Sequence, residues 1–165
     1  MFIIEEIKKK TINYNSNEIA IFIDMDGVVA DYRFGEGDNI KNNKPGVYLN
    51  KRPINTTISI VKEIKQELNC EIYILSSCFY KEQSIEKSMW IDKYMPFINE
   101  KNRIFTIADN FESRKMLKID AIKSKMISNK LKKAIFIDDT HDILFLAIKE
   151  LGDKIIPFHV ITLLD

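Results

Sequence analysis

The sequence predicts an α/β fold, a Rossmann-like three-layer α/β/α sandwich around a central parallel sheet. Short apolar runs such as "IFID" at 21–24 and "FID" at 136–138 recur along the chain, separated by amphipathic stretches of ten or more residues. Strands that alternate with helices of that length need crossover connections. They therefore pair in parallel, with helices covering both faces. A third observation fits: the polar residues cluster at the C-terminal ends of the apolar runs, where such sheets bind ligands at the switch in strand order.

Each element has its own signal. Residues 18–23 read as a buried strand. "INTTISIVKEIKQEL" places Ile54, Ile58, Val61, Ile64 and Leu68 on one helix face, with Asn55, Thr56 or Thr57 available as a cap. "EIYIL" at 71–75 is the next strand, and Gln83 to Tyr94 a helix that stops before Pro96. A strand is expected over 103–107, a helix over 119–129 and a strand over 134–137. A helix over 142–151 ends at Gly152, and the last strand covers 155–158. The segment 31–51, "DYRFGEGDNIKNNKPGVYLNK", breaks the alternation. It carries three of the five glycines without a helical period and reads as a short flap over the strand ends, with Asp31 as a turn or hinge acid. One domain over 1–165 with this flap as a reduced insertion is the simplest organisation for 165 residues.

Composition narrows the function classes. A formal charge of +1 gives no global field toward nucleic acid or anionic membrane. Lysines gather at 8–10 and over 115–133, the pattern of solvated helix faces. Two cysteines without metal-ligand spacing fit a reducing, cytoplasmic compartment. The opening "MFIIEEIKKK" has only a four-residue apolar run with acids before bases, unlike a signal peptide, and no apolar run reaches membrane-spanning length.

The chemistry sits in four carboxylates. Asp24 and Asp26 follow one apolar run, and Asp138 and Asp139 follow another. Like charges so close raise one another's pKa, and a hard cation such as Mg²⁺ relieves the conflict while accepting phosphate oxygens. Along a strand, the Asp-x-Asp spacing puts Asp24 and Asp26 on one face. Asp24 is then the candidate nucleophile and Asp26 the candidate acid/base, with Gly27 allowing a sharp turn. Ser76 and Ser77 close the "YILSS" strand and are candidate phosphate ligands. Lys118 is the candidate cation for phosphate charge, with Lys115 and Arg114 as competitors. His141, His159 and Trp90 read as ordinary packing residues, and Cys78 lacks a basic partner in sequence.

These motifs resemble the haloacid dehalogenase-like superfamily. "FIDMDGVVADY" is similar to its first motif, "YILSS" to its second and "AIFIDD" to its acidic fourth. "YILSSC", "MWIDKYMP" and "FIDDTHDIL" are most similar to the 5'(3')-deoxyribonucleotidase-like family. The resemblance spans residues 21 to about 146 and implies Mg²⁺-dependent phosphomonoester hydrolysis through an aspartyl-phosphate. It implies Asp24 as nucleophile and Asp26 as acid/base and, through its backbone carbonyl, metal ligand. Asp138 and Asp139 would be metal ligands, Ser76 a phosphate ligand, and Lys118 or Lys115 the motif-three lysine.

The sequence departs from that family in having about twenty irregular residues where a helical cap belongs, which implies an open site. Small phosphorylated substrates, nucleoside monophosphates among them, are the leading expectation. A polynucleotide 3'-phosphate end is the alternative, with the basic stretch 115–133 assisting. The contrasting class is a non-catalytic Mg²⁺ or phosphate binder, which would have no need for the acid at 26.

Overall fold

A computed structural model describes residues 2–32 and 45–164. The flap expected over 31–51 therefore lies mostly outside the described residues. Five strands form one all-parallel sheet: β1 (Ile19–Ile23), β2 (Glu71–Cys78), β3 (Arg103–Ile107), β4 (Lys133–Asp138) and β5 (Ile155–His159), in the order β3-β2-β1-β4-β5. The helices are α1 (Phe2–Thr11), α2 (Asn55–Leu68), α3 (Lys81–Tyr94), α4 (Phe111–Ser128) and α5 (His141–Leu151).

Side-chain alternation along the strands separates two cores. Ile19, Ile21 and Ile23 of β1 join Ile72, Ile74, Ile135 and Ile137 against α1, α2 and α3. Ala20 and Phe22 join Tyr73, Leu75, Ala134 and Phe136 against α4 and α5. Phe22 and Tyr73 stack with ring centroids 5.2 Å apart. Period-2 runs that are apolar on both faces are what a sheet sandwiched between helix layers requires.

The structure extends several elements and corrects one cap. β2 runs on through Ser76, Ser77 and Cys78, because β3 pairs with all three. α4 begins at Phe111, eight residues earlier than periodicity indicated, where Asn110 and Ser113 form a reciprocal capping box. α2 takes no side-chain cap from Asn55, Thr56 or Thr57. Instead Thr57 Oγ1 donates to Val28 O at 2.5 Å, tying the helix start to the loop after β1. The N-terminal residues form α1, whose Ile3, Ile4 and Ile7 are buried in the α1–α3 core.

The order places the topological switch between β1 and β4, which diverge to β2 and β5. The crevice at their C-terminal ends is where such a sheet binds a ligand. No helix of the described residues is long and apolar enough to cross a membrane.

Candidate active site

β1 ends at Ile23, and Asp24 extends its ladder by one bond, donating its N–H to Ile137 O at 2.9 Å. The chain then turns: Val28, Val29 and Ala30 all direct their N–H groups at Met25 O. Gly27 sits at φ +80° inside this turn, facing Asp139 so closely that a Cβ would lie 2.1 Å from Asp139 Oδ2. Glycine is required here for both reasons.

Because the strand stops at Ile23, Asp26 does not follow the period-2 rule that the sequence suggested. Asp24 bonds a lysine from the α4 side of the sheet, whereas Asp26 bonds one from the α3 side. Both carboxylates still line one pocket of about 150 Å³, together with Ser76, Ser77, Lys118 and Asp139.

The α4 side holds the nucleophile candidate. Lys118 Nζ lies 2.8 Å from Asp24 Oδ1 and 2.8 Å from Asp138 Oδ2, all three side chains being almost wholly buried. Thr140 N–H donates to Asp138 Oδ1 at 2.9 Å, and Thr140 Oγ1 donates to Asp139 Oδ1 at 3.1 Å. Asp24, Asp138 and Asp139 offer oxygens within 4.8 Å of one another. Burial raises the Asp24 pKa; Lys118 pulls it down, the Asp138 and Asp26 charges push it up, and the balance stands at about 6. Burial and the Asp24 charge likewise raise Asp139. Three carboxylates face one ammonium, which leaves negative charge for a divalent cation to neutralise. All-oxygen donors suit Mg²⁺.

The α3 side surrounds Asp26. Lys87, with no exposed side-chain surface, donates to Asp26 Oδ2 at 2.5 Å, Ser76 Oγ at 2.8 Å and Ser77 O at 2.9 Å. Lys51 Nζ stands 3.0 Å from Asp26 Oδ1. Burial works to raise the Asp26 pKa, but Lys87 and Lys51 outweigh it and hold the group well below the usual carboxylate range. The Lys87 ammonium also lies 4.5 Å from the Tyr48 ring centroid. Residues 45–51 are pinned to α3: Gly46 N and Tyr48 N donate to the Glu86 carboxylate, and Trp90 Nε1 donates to Lys51 O.

The sequence-derived candidates therefore fall into two groups. Asp24, Asp138, Asp139 and Lys118 meet in one cluster, while the Asp26 carboxylate stands outside the three-acid group. Ser76 Oγ is held between Lys87 and Asp26, and Ser77 Oγ shares a hydrogen bond with Thr106 Oγ1 at 3.0 Å. Lys115 points away, pairing with Glu112 and Asp142. Cys78 is buried, and burial pushes its thiol pKa up, which does not suit a nucleophile.

Sequence reasoning passed over Lys87 and read His159 as an ordinary packing residue. Lys87 had a signal, because it shares the buried face of α3 with Gln83, Trp90 and Ile91, and a lysine there needs a buried anion. His159 Nδ1 accepts from Ile161 N–H, so its Nε2 carries the proton and donates to Asp139 O at 3.0 Å, fixing that backbone. The His159 ring stacks on His141 at 4.2 Å.

No family model and no curated protein matches the sequence. Among solved structures, the chain is similar to a candidate haloacid dehalogenase-like hydrolase from Burkholderia xenovorans LB400. The TM-score is 0.57 at 12% identity, over 85% of this chain and 80% of that one. The fold is haloacid dehalogenase-like. At that identity the likeness carries the architecture. In this haloacid dehalogenase-like fold the acids at the β1 and β4 ends stand at the switch point already described.

Proposed function

We propose that the chain is a Mg²⁺-dependent phosphomonoester hydrolase of the haloacid dehalogenase type, acting on small phosphorylated substrates with nucleoside monophosphates among them. The observation that carries this reading is the buried Lys118 bridging Asp24 and Asp138 beside Asp139, at the switch point of a parallel sheet. Asp24, Asp138 and Asp139 would hold the ion, and the backbone carbonyl of Asp26 is a further candidate ligand. Bound there, Mg²⁺ supplies charge neutralisation for the phosphoryl oxygens.

In this reading a carboxylate oxygen of Asp24 attacks phosphorus and the ester P–O bond breaks. The leaving oxygen takes a proton from Asp26. Water then attacks the aspartyl-phosphate as Asp26 accepts its proton, and the P–O bond to Asp24 breaks to release phosphate. Lys118 holds Asp24 oriented throughout, while Ser76 and Ser77 border the phosphoryl position. The two lysines keep Asp26 ionised in the resting site, as the second, base-catalysed step requires. A phosphate dianion seated between Asp24 and Asp26 raises the proton affinity of Asp26, which takes up a proton from solvent as the ester binds and returns one to solvent after the hydrolytic step. The phosphoryl position lies within the pocket that Asp24 and Asp26 line, and the remainder of a substrate would lie toward its mouth.

Most lysines of the basic stretch are already engaged, which weakens the polynucleotide alternative without excluding a role for Lys125 and Lys130. There Lys115, Lys123 and Lys132 pair with acids, Lys118 is inside the site, and Lys133 donates to Asp153 O.

The test is hydrolysis of a phosphomonoester panel that includes nucleoside 5'- and 3'-monophosphates and a 3'-phosphorylated oligonucleotide. Phosphate release should need Mg²⁺, stop with EDTA and fall at least about 10³-fold in Asp24→Asn, as expected for loss of the nucleophile. Turnover that survives Asp24→Asn would exclude the aspartyl-phosphate. Mg²⁺ binding without turnover of any ester would favour a binding domain.

A further inference from the structure

We infer that Arg114 is a specificity-determining residue that binds a second anionic group, a phosphate or carboxylate, on the substrate. The preferred substrates are then phosphomonoesters that carry another anion a few bonds from the scissile phosphate. This inference rests on the phosphohydrolase reading and deepens it by naming a substrate class.

Arg114 lies one helical turn before Lys118 on α4, so both side chains point from the same helix face. Four residues of helix rise about 6 Å. α4 starts at the end of the sheet that bears the site, so Arg114 stands nearer the pocket mouth than Lys118. It lines the same pocket as Asp24 and Asp139. A group held at Lys118 and Asp24 therefore has Arg114 one turn farther out, where the unreacting part of a substrate must pass.

One nitrogen of the guanidinium is unsatisfied among the described residues. Arg114 Nε is buried with no hydrogen-bond partner, and among the described residues the guanidinium makes no ion pair. Its contact is with the Phe111 ring, whose centroid lies 5.0 Å from Arg114 Cζ. Phe111 is 42% exposed, and a cation–π contact at such a site recovers about 0.5–1 kcal/mol, whereas a buried donor left unpaired costs about 1–3 kcal/mol. Packing on Phe111 alone therefore does not account for placing an arginine here.

The geometry also selects the ligand. Phe111 lies against the guanidinium, and Phe79 meets Phe111 edge-on with centroids 5.1 Å apart, backing that side with aromatic rings. What remains is the in-plane fork of N–H groups, which matches the paired oxygens of a phosphate or carboxylate.

The test uses matched substrate pairs with the full chain and Mg²⁺: adenosine 5'-monophosphate against adenosine 3',5'-bisphosphate, and glycerol 3-phosphate against 3-phosphoglycerate. The pairs separate a second phosphate from a carboxylate. Wild type should favour the doubly anionic member of at least one pair by roughly 10- to 100-fold in kcat/KM, mostly through KM, the size of a charged hydrogen bond. Arg114→Ala should bring that ratio close to one, and Arg114→Lys should keep part of it. Equal kcat/KM within both pairs, or a ratio that survives in Arg114→Ala, would overturn the inference while leaving the phosphohydrolase reading intact. If no ester turns over, that reading fails by itself, and calorimetric binding of pyrophosphate and inorganic phosphate decides the Arg114 site. Pyrophosphate should bind at least tenfold tighter than phosphate in wild type and lose that margin in Arg114→Ala. No margin would overturn the inference.

Discussion

Replacing Lys87 with methionine removes the ammonium that neutralises Asp26 while keeping most of the side-chain volume. Lys87 has no exposed side-chain surface and makes three polar contacts, at 2.5 Å to Asp26, 2.8 Å to Ser76 and 2.9 Å to Ser77 O. Breaking a buried pair by removing one partner costs about 3–5 kcal/mol, because the remaining charge is left uncompensated. Here Asp26 is 17% exposed and keeps Lys51 at 3.0 Å, so the lower end applies, about 3 kcal/mol. With a urea m-value of about 2 kcal/mol/M, the unfolding midpoint should fall by about 1.5 M. The double variant Asp26→Asn/Lys87→Met should lose less than the sum of the two single variants, by about 1.5–3 kcal/mol of coupling. The assay is equilibrium urea unfolding at pH 7.5, followed by far-ultraviolet circular dichroism. A single-variant cost under about 1 kcal/mol, or strict additivity in the double variant, would refute the argument that this pair holds the α3 side of the site together.

Two further predictions concern the α4 side. Asp24 titrates at about 6 in the folded chain against an ordinary 3.8, so the folded state binds the extra proton between those values and metal-free stability falls as pH rises from about 4 to about 6. Asp139, raised by burial and by the Asp24 charge, contributes in the same direction; urea titrations in EDTA should show the loss, and Asp24→Asn should flatten the slope. Gly27→Ala strains a φ of +80° and drives a Cβ to 2.1 Å from Asp139 Oδ2, so it should destabilise the protein by at least about 2 kcal/mol. Differential scanning fluorimetry should show a rise in wild-type Tm on adding Mg²⁺, as the proposed site requires, and no such rise in Gly27→Ala.

The layered sheet was legible because burial on both faces writes itself into short apolar runs, and the alternation of Ile21 and Ile23 with Phe22 divides the two cores as the pattern requires. Element ends were less legible where tertiary pairing sets them. Polar residues Ser76 and Ser77 stay in β2 because β3 pairs alongside, and α4 starts at Phe111 through a capping box that apolar periodicity does not reveal. α1 spends its three buried isoleucines against the α1–α3 core, in a stretch whose acids and bases gave no tertiary signal.

The candidate site divides the same way. The acids at the strand ends can be read from sequence, because carboxylates after apolar runs have few structural reasons to be there. Their counterions are only partly legible: Lys118 is a candidate from sequence, for phosphate charge and not as the partner of Asp24, whereas Lys87 is not among the candidates. Lys87 is 61 residues from Asp26 and Lys118 is 94 from Asp24, and only the parallel crossovers bring α3 and α4 back over the ends of β1 and β2. The i, i+2 spacing of Asp24 and Asp26 suggested two like acids on one face, whereas the chain turns between them and gives each its own lysine. One carboxylate is raised by burial and neighbouring acids, and the other is held down by Lys87 and Lys51 against its burial. Divergent pKa values in adjacent acids are the condition for dividing acid–base labour between them. In this chain the condition is set largely by groups outside the motif that displays the acids: Lys87 of α3 and Lys51 of the loop before α2 hold Asp26 down, while burial and Asp138 raise Asp24.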